Sequence, residues 1–159
     1  MEIPAGYTDA IQKGGMGLIQ TLWEYDGRTT VVCVDSYVQG VPKGWLFHAC
    51  LGTLPFESLS ELLIRMEFLL EENGFPQSYT APRSFGEICR EMWPGEISSR
   101  MRRGNMATFS LQICYRRNAS WQGRLLWKER GEEQSFRSVL ELVLLLDSAL
   151  RSTQRSDAV

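Results

Sequence analysis

The sequence has a single histidine, His48, and its four cysteines include no Cys-x-x-Cys pair. A His-Glu-x-x-His zinc site is therefore impossible, and the usual cysteine spacing of structural zinc sites is missing. No Gly-x-Ser-x-Gly elbow is present. The longest apolar run covers only residues 142–146, whereas a membrane-spanning helix needs about 20 residues. These absences predict a chain without catalytic residues, metal ligands or a cofactor.

Two short patterns still suggest chemistry. His48 and Cys50 are two residues apart, which places both side chains on one face of a strand. They are at most half of a metal site or a Cys–His pair, since a nucleophilic cysteine needs a third, orienting group. Residues 13–17 are rich in glycine but lack the Gly-Lys-Ser/Thr ending of a phosphate-binding loop. We therefore expect neither pattern to be a site.

The cysteines also indicate a compartment. Their spacing is wide, and the first 17 residues lack the basic start and apolar run of a secretory signal. We expect free thiols and a cytoplasmic protein.

Charge is distributed unevenly along a chain of ordinary globular composition. Residues 1–75 hold four basic and ten acidic side chains, and residues 76–131 hold ten basic and four acidic ones. Such segregation predicts internal complementarity, head-to-tail association, or simply two solvated faces of opposite sign.

The pattern of apolar residues and turns divides the chain into five segments. They are a loose N-terminal segment (1–17), a first strand–strand–helix unit (18–74), a connector with a short helix at 84–93 (75–105), a second unit (106–152) and a frayed tail (153–159). Within the units, helices are predicted at 56–72 and 135–151, the second capped by Ser135.

The two predicted helices resemble one another at an offset of 80 residues. Phe, Ser, Glu and Leu coincide at 56/136, 58/138, 61/141 and 62/142. This similarity predicts a duplicated β-β-α unit, and the alternative is a chance likeness of two amphipathic helices. The fold is therefore expected to be α+β, with antiparallel hairpins forming a sheet of four to five strands and two main helices on one face.

The second helix is apolar almost all round between residues 139 and 146. A surface helix should show only an apolar stripe. The helix is therefore either sandwiched centrally or covered by another chain, which makes a homodimer through helix 135–151 one of two expectations.

Basic and aromatic residues of the second unit are the best candidates for partner contacts. They are Arg100, Arg102, Arg103, Arg116, Arg117, Trp121 and Arg124. Arginine and tryptophan suit a protein interface, or phosphate contacts with base stacking, unless they form a solvated rim and Trp121 folds back onto the core. Trp93 is a further aromatic whose exposure would indicate recognition. The sequence pI of 5.5 argues against a dedicated nucleic-acid binder.

Four parts of the second unit resemble a known group of proteins. They are residues 118–123 (Asn-Ala-Ser-Trp-Gln-Gly), Trp127, residues 135–142 (Ser-Phe-Arg-Ser-Val-Leu-Glu-Leu) and residues 147–150 (Asp-Ser-Ala-Leu). They resemble a recurrent module of small gut-Firmicutes proteins with no established activity. The resemblance implies a cytosolic bacterial protein, encoded for example on a mobile element as an inhibitor of a host defence system. It carries over no site residue.

These observations predict a small non-enzymatic interaction or regulatory protein. Its expected partner is another protein, and a nucleic-acid-binding regulator is the alternative.

Overall fold

The computed structural model describes residues 27–89 and 102–158, which form two successive β-β-β-α halves. The first half contains β1 (Thr29–Val38), β2 (Val41–His48), β3 (Gly52–Phe56) and α1 (Leu59–Asn73). The second half contains β4 (Ala107–Tyr115), β5 (Gln122–Trp127), β6 (Glu132–Phe136) and α2 (Val139–Asp157). The predicted α+β class is confirmed.

All six strands belong to one antiparallel sheet in the order β3-β2-β1-β4-β5-β6. The two halves meet where β1 pairs with β4, from Thr29 opposite Gln112 to Val34 opposite Ala107. The prediction of four to five strands is therefore corrected to six among the described residues. Each helix follows three strands, not the two of the predicted β-β-α unit.

The two strands that the sequence analysis did not recognise, β3 and β6, are the edges of the sheet. Gly52 and Pro55 are poor strand formers and obscure β3 in the sequence, although an edge strand tolerates proline because one of its sides has no partner strand. In β6 only Phe136 is buried, so the strand lacks the alternating apolar pattern that reveals a half-buried strand.

Both helices begin at a serine cap. The side chain of Ser58 accepts a hydrogen bond from the Glu61 N–H at 3.1 Å, and Ser138 accepts one from Glu141 at 3.2 Å. The predicted cap Ser135 instead lies in β6, because the strand continues to Phe136 before the helix starts.

The two helices cover one face of the sheet, as predicted. One main core cluster joins their buried side to the strands and includes Phe56, Leu62, Phe109, Phe136 and Leu142. A second, smaller cluster on the opposite face consists of Val31, Cys33 and Phe47, with Trp45 packed against them. The helical layer therefore contributes to the main core through one side of each helix only.

The halves are equivalent in register as well as in element order. Gly44 lies between Val34 and Phe56, and Gly123 lies between Ile113 and Phe136. A Cβ atom at Gly44 would lie 1.8 Å from the carbonyl oxygen of Cys33, and one at Gly123 would lie 2.0 Å from that of Gln112. Only glycine allows this close approach of the two strands in either half.

Several predicted segments lie wholly or partly outside the described residues. They include the loose segment 1–17, the start of the first unit at 18–26 and the last part of the short helix predicted at 84–93. Residues 84–89 of that segment are described and are not helical. Neither described helix is long and apolar enough to cross a membrane.

Candidate interaction surfaces

Arg116, one of the predicted contact residues, points into the protein. A β-bulge between Ile113 and Tyr115 inserts one extra residue into β4, so that Arg116 turns towards α1. Its guanidinium forms ion pairs with Glu67 and, at 2.7 Å, with Glu71, and donates to the Pro76 carbonyl at 3.3 Å. Only 5% of Arg116 is exposed, so it fixes the end of β4 to α1 and is not accessible to a partner.

Trp121 binds the same carboxylate from the β4–β5 turn. Its indole nitrogen donates to Oε2 of Glu67 at 2.7 Å, while Arg116 engages Oε1. Trp121 is buried. It therefore belongs to the interior of the second half and does not contribute to an exposed contact surface.

The remaining predicted arginines do not form one cluster. Arg102 lies 3.4 Å from Asp35 and its guanidinium stacks over Trp45, beside the start of β4, where Arg103 is also exposed. Arg117 follows the other end of β4 and stacks over Tyr115 at 4.6 Å. Since β4 has nine residues, the two groups are separated by roughly 30 Å.

Arg124 lies on β5 and is engaged within the sheet. It donates to the Gln112 side chain at 2.6 Å and lies 3.6 Å from Glu133. Arg100 and Trp93 lie outside the described residues. Of the predicted set, Arg102, Arg103 and Arg117 are thus the exposed arginines that the structure describes.

The clearest apolar surface is the outer side of the helical layer. Ile64 is 53% exposed, Leu140 is 67% exposed and Leu144 is 57% exposed. We call the surface formed by Leu63, Ile64, Leu140, Val143 and Leu144 the helix seam. The apolar girdle of residues 139–146 predicted the α2 part of this surface as one of two alternatives. Ile64 was missed because it lies beside the regular apolar stripe of α1.

The helix seam is continuous across both helices. Leu59 shares a groove with Val143 and Leu144, whereas Ile64 shares a cavity with Val139. The beginning of each helix therefore lies beside the middle of the other, which makes the helices antiparallel. The exposed side chains of α1 and α2 consequently form one patch.

Charged pairs border the α2 part of the helix seam. Glu141 binds Arg137 one turn before the exposed leucines, and Asp147 binds Arg151 one turn after them. Hydrogen bonds from the Arg137 side chain lower the pKa of Glu141, and hydrogen bonds from Arg151 and Tyr37 lower the pKa of Asp147. Both acids are therefore anionic at neutral pH, and the exposed leucines alternate with charges along α2 in the order Arg137, Leu140, Glu141, Leu144, Asp147 and Arg151.

His48 and Cys50 are engaged in hydrogen bonds within the fold. His48 is buried, and its Nδ1 accepts a hydrogen bond from the backbone N–H of Cys50 at 3.2 Å. Its Nε2 lies 3.0 Å from the carbonyl oxygen of Gly27, and Asn73 donates to the same oxygen at 2.9 Å. The carbonyl of Gly27, just before β1, is therefore bound both by His48 at the end of β2 and by Asn73 at the end of α1.

Within residues 27–89 and 102–158, no three His, Cys, Asp or Glu side chains are placed to hold a metal ion. No family model, no curated protein and no solved structure matches the chain. The resemblance to gut-Firmicutes proteins therefore stays a prediction.

Proposed function

We propose that this chain is a small non-enzymatic interaction protein that associates with a second copy of itself through the helix seam. The observation that carries the proposal is the exposure of Ile64, Leu140 and Leu144 on adjoining surfaces of two helices. Outward positions of a surface helix are normally polar, and contiguous exposed apolar side chains mark interaction sites.

A second copy fits because one antiparallel arrangement brings opposite charges together at both ends of the leucine patch. Two α2 helices can pack antiparallel about a two-fold axis that lies level with residue 142 along the helix. Leu140 of one copy then faces Leu144 of the other. The same axis brings Arg137 opposite Asp147, an acid that is anionic at neutral pH. A two-fold interface of this kind uses the same patch on both copies and closes as a dimer.

The test is the molar mass of the full-length protein in solution. We expect size-exclusion chromatography with light scattering to give a dimer for the wild type and a monomer for the double variant Leu140→Glu/Leu144→Glu. The matched control is Val38→Glu/Val41→Glu, which changes two other exposed aliphatic residues, on either side of the β1–β2 turn, and should remain dimeric. A monomeric wild type at high micromolar concentration would refute the self-association.

A charge swap tests the orientation of the two copies. Arg137→Asp should weaken the dimer, because it places two acids opposite one another, and Asp147→Arg in the same chain should restore it. Failure of the second change to restore association would exclude the antiparallel arrangement, even if the leucines are required.

The arginines at the two ends of β4 supply the proposed contacts to a further, acidic protein partner. Arg103 and Arg117 are exposed, whereas Arg116 is buried and would unfold the end of β4 if its charge were reversed. A tagged protein should capture such a partner from nuclease-treated bacterial lysate, and Arg103→Glu/Arg117→Glu should lose it while retaining the wild-type melting temperature.

A nucleic-acid-binding regulator is the second candidate, favoured by the stacking of arginine on aromatic rings at both ends of β4. It predicts binding of labelled single-stranded DNA with an affinity that falls steeply as salt rises. The neutralisation of Arg102 by Asp35 and the pI of 5.5 favour a protein partner instead. Loss of the captured species on nuclease treatment would reverse this preference.

The equivalent glycines, caps and strand registers support an internal duplication of a β-β-β-α unit. The four cysteines are free, which supports a reducing compartment such as the cytoplasm.

A further inference from the structure

The sheet has a buried row of residues on the face opposite the helices, which we call the second face. The register of the strands places Phe47, Val31, Ser110 and Leu126 side by side on it, across β2, β1, β4 and β5. None of these four residues is more than 7% exposed, and Val31 is only 1% exposed. A fully buried side chain typically touches about 6–12 other residues, more than the neighbouring strands of a bare sheet supply. Other atoms of the chain therefore cover the second face.

The described residues cover only part of the second face. Both helices pack against the other face. Residues 102–104 pass beside the row, where the Arg102 carbonyl accepts a hydrogen bond from the Cys33 thiol at 3.0 Å and the Gly104 N–H donates to the Thr108 hydroxyl at 3.0 Å. In the part of the chain that the structure describes, no strand or helix lies over Val31. Since Val31 is buried within a single chain, the cover belongs to residues 1–26 or 90–101 and not to a second copy.

Residues 90–101 need much of their length to connect their two ends. Cys89 lies on the helical side of the sheet, where it lines a cavity with Leu54 and Phe68, whereas Arg102 lies on the second face over Trp45. The twelve residues between Cys89 and Arg102 reach at most about 40 Å, and they must pass a helical layer about 10 Å thick and an edge of the sheet. This path leaves few of them to lie over Val31.

Residues 1–26 reach the second face directly. They end beside Gly27, two residues before Thr29, which itself lies on the second face of the central strand β1. Gly27 has a φ of 73°, a left-handed conformation that lets the chain turn at this point. Most of residues 18–23 are large and apolar, namely Leu18, Ile19, Leu22 and Trp23. The chain before β1 therefore has both the length and the apolar side chains that covering the row requires.

We propose that residues 1–26 bind the second face of the sheet, with the apolar side chains of residues 18–23 packed on Phe47, Val31 and Leu126. The sheet is then covered on both faces, by the two helices on one and by the N-terminal segment on the other. The helix seam lies on the opposite side of the molecule, so this inference does not depend on the proposed self-association.

Proton–proton nuclear Overhauser contacts in the full chain test the placement directly. We expect cross-peaks that join the methyl groups of Val31 and Leu126 to side chains of residues 18–23. Cross-peaks to residues 90–101 in their place, or to the described residues alone, would overturn the proposal. A mixture of labelled and unlabelled protein distinguishes contacts within a chain from contacts between copies, and cross-peaks between copies would overturn it as well.

Leu18→Ala/Leu22→Ala tests which side chains provide the cover. Shortening these two leucines should shift the amide signals of the row at Val31 in ¹H–¹⁵N spectra, while the signals of α1 and α2 stay in place. The matched control, Leu140→Ala/Leu144→Ala, shortens two leucines of the helix seam and should leave the signals of the row unshifted. Unchanged signals of the row in Leu18→Ala/Leu22→Ala would contradict the packing of residues 18–23 on the second face.

Discussion

Glu67 and Asp147 stand at equivalent positions of the two helices, and each accepts a hydrogen bond from the other half of the chain. Arg116, just after the bulge in β4, binds Glu67 of α1. Tyr37, just after the bulge in β1, binds Asp147 of α2. Each helix is thus held by the central strand of the opposite half, which couples the halves through side chains as well as through the β1–β4 ladder.

The two contacts should differ in energy. Glu67→Gln should lower the free energy of unfolding by about 2 kcal/mol, because it removes one of the two carboxylates that pair with the buried guanidinium of Arg116. Asp147→Asn should cost less than about 1 kcal/mol, since the amide oxygen can still accept from the Tyr37 hydroxyl and the ion pair with Arg151 is largely exposed. Urea unfolding measures both variants.

Glu57→Gln is the control for these carboxylate changes, because its ion pair with Lys43 is exposed on both sides. We expect it to lie within about 0.5 kcal/mol of the wild type. Equal effects of Glu67→Gln and Glu57→Gln would mean that the Glu67 contact contributes no more than a surface pair.

Gly44→Ala and Gly123→Ala should each destabilise the protein by more than about 3 kcal/mol. The added methyl group would overlap a backbone carbonyl of the neighbouring strand, which cannot move without breaking the ladder. Thermal unfolding followed by circular dichroism should show both losses. Gly86→Ala, where the methyl group meets nothing within 4 Å, should leave the melting temperature unchanged.

Stability should fall on acidification through three carboxylates of the helices. Hydrogen bonds from the Glu57 N–H, from Arg137 and from Arg151 lower the pKa values of Glu61, Glu141 and Asp147, respectively. Because a lowered pKa favours the anion in the folded state, this stabilisation is complete above about pH 5 and is lost as the pH falls through the lowered values.

The free energy of unfolding, measured by urea titration from pH 7 down to pH 3, should therefore decrease most steeply below the usual carboxylate pKa. The triple variant Glu61→Gln/Glu141→Gln/Asp147→Asn should show a shallower decrease. Parallel pH profiles for the two proteins would contradict the assignment of these three groups.

The buried thiol of Cys33 should resist alkylation. Burial is the main cause that raises its pKa to about 11, so that it remains a protonated, poorly nucleophilic thiol at pH 8. Treatment of the folded protein with iodoacetamide, followed by peptide mass mapping, should label the exposed Cys50 and Cys89 but not Cys33. Urea should make Cys33 reactive, and rapid labelling without urea would show that its part of the sheet opens readily.

The sequence predicted the elements whose buried apolar residues recur at the spacing of a helix or a strand. It did not predict the positions where a single residue changes the direction of a side chain. The apolar stripe predicted α1 to within three residues at its start, and the central strands β1 and β4 lie inside the two predicted strand–strand–helix units. The solvated edges β3 and β6 were missed because neither has a clear pattern. Ser135 and Ser138 are both suitable helix caps as judged from the sequence. Ser135 is excluded as the cap only because β6 extends to Phe136.

The arginine surface shows why a candidate site is harder to predict than an element. Arg116 and Arg117 are adjacent in sequence, but a bulge at Cys114 places one inside and leaves the other exposed. Such a bulge leaves no periodic signal, because it inserts a single residue. Trp121 was recognised as a residue that either folds inward or recognises a partner, and its Glu67 acceptor lies 54 residues earlier in the chain.

The pairing of β1 with β4 has a consequence for fragments of the chain. Residues 27–89 alone would expose the full edge of β1, and residues 102–158 alone would expose that of β4. Because the antiparallel register between these edges is nearly two-fold symmetric, either fragment carries a surface that templates its own copy as well as the other fragment. When the two fragments are expressed together, pairing of unlike fragments should therefore compete with pairing of like fragments. The side-chain bonds between the halves, to Glu67 and Asp147, would favour the native pair of unlike fragments.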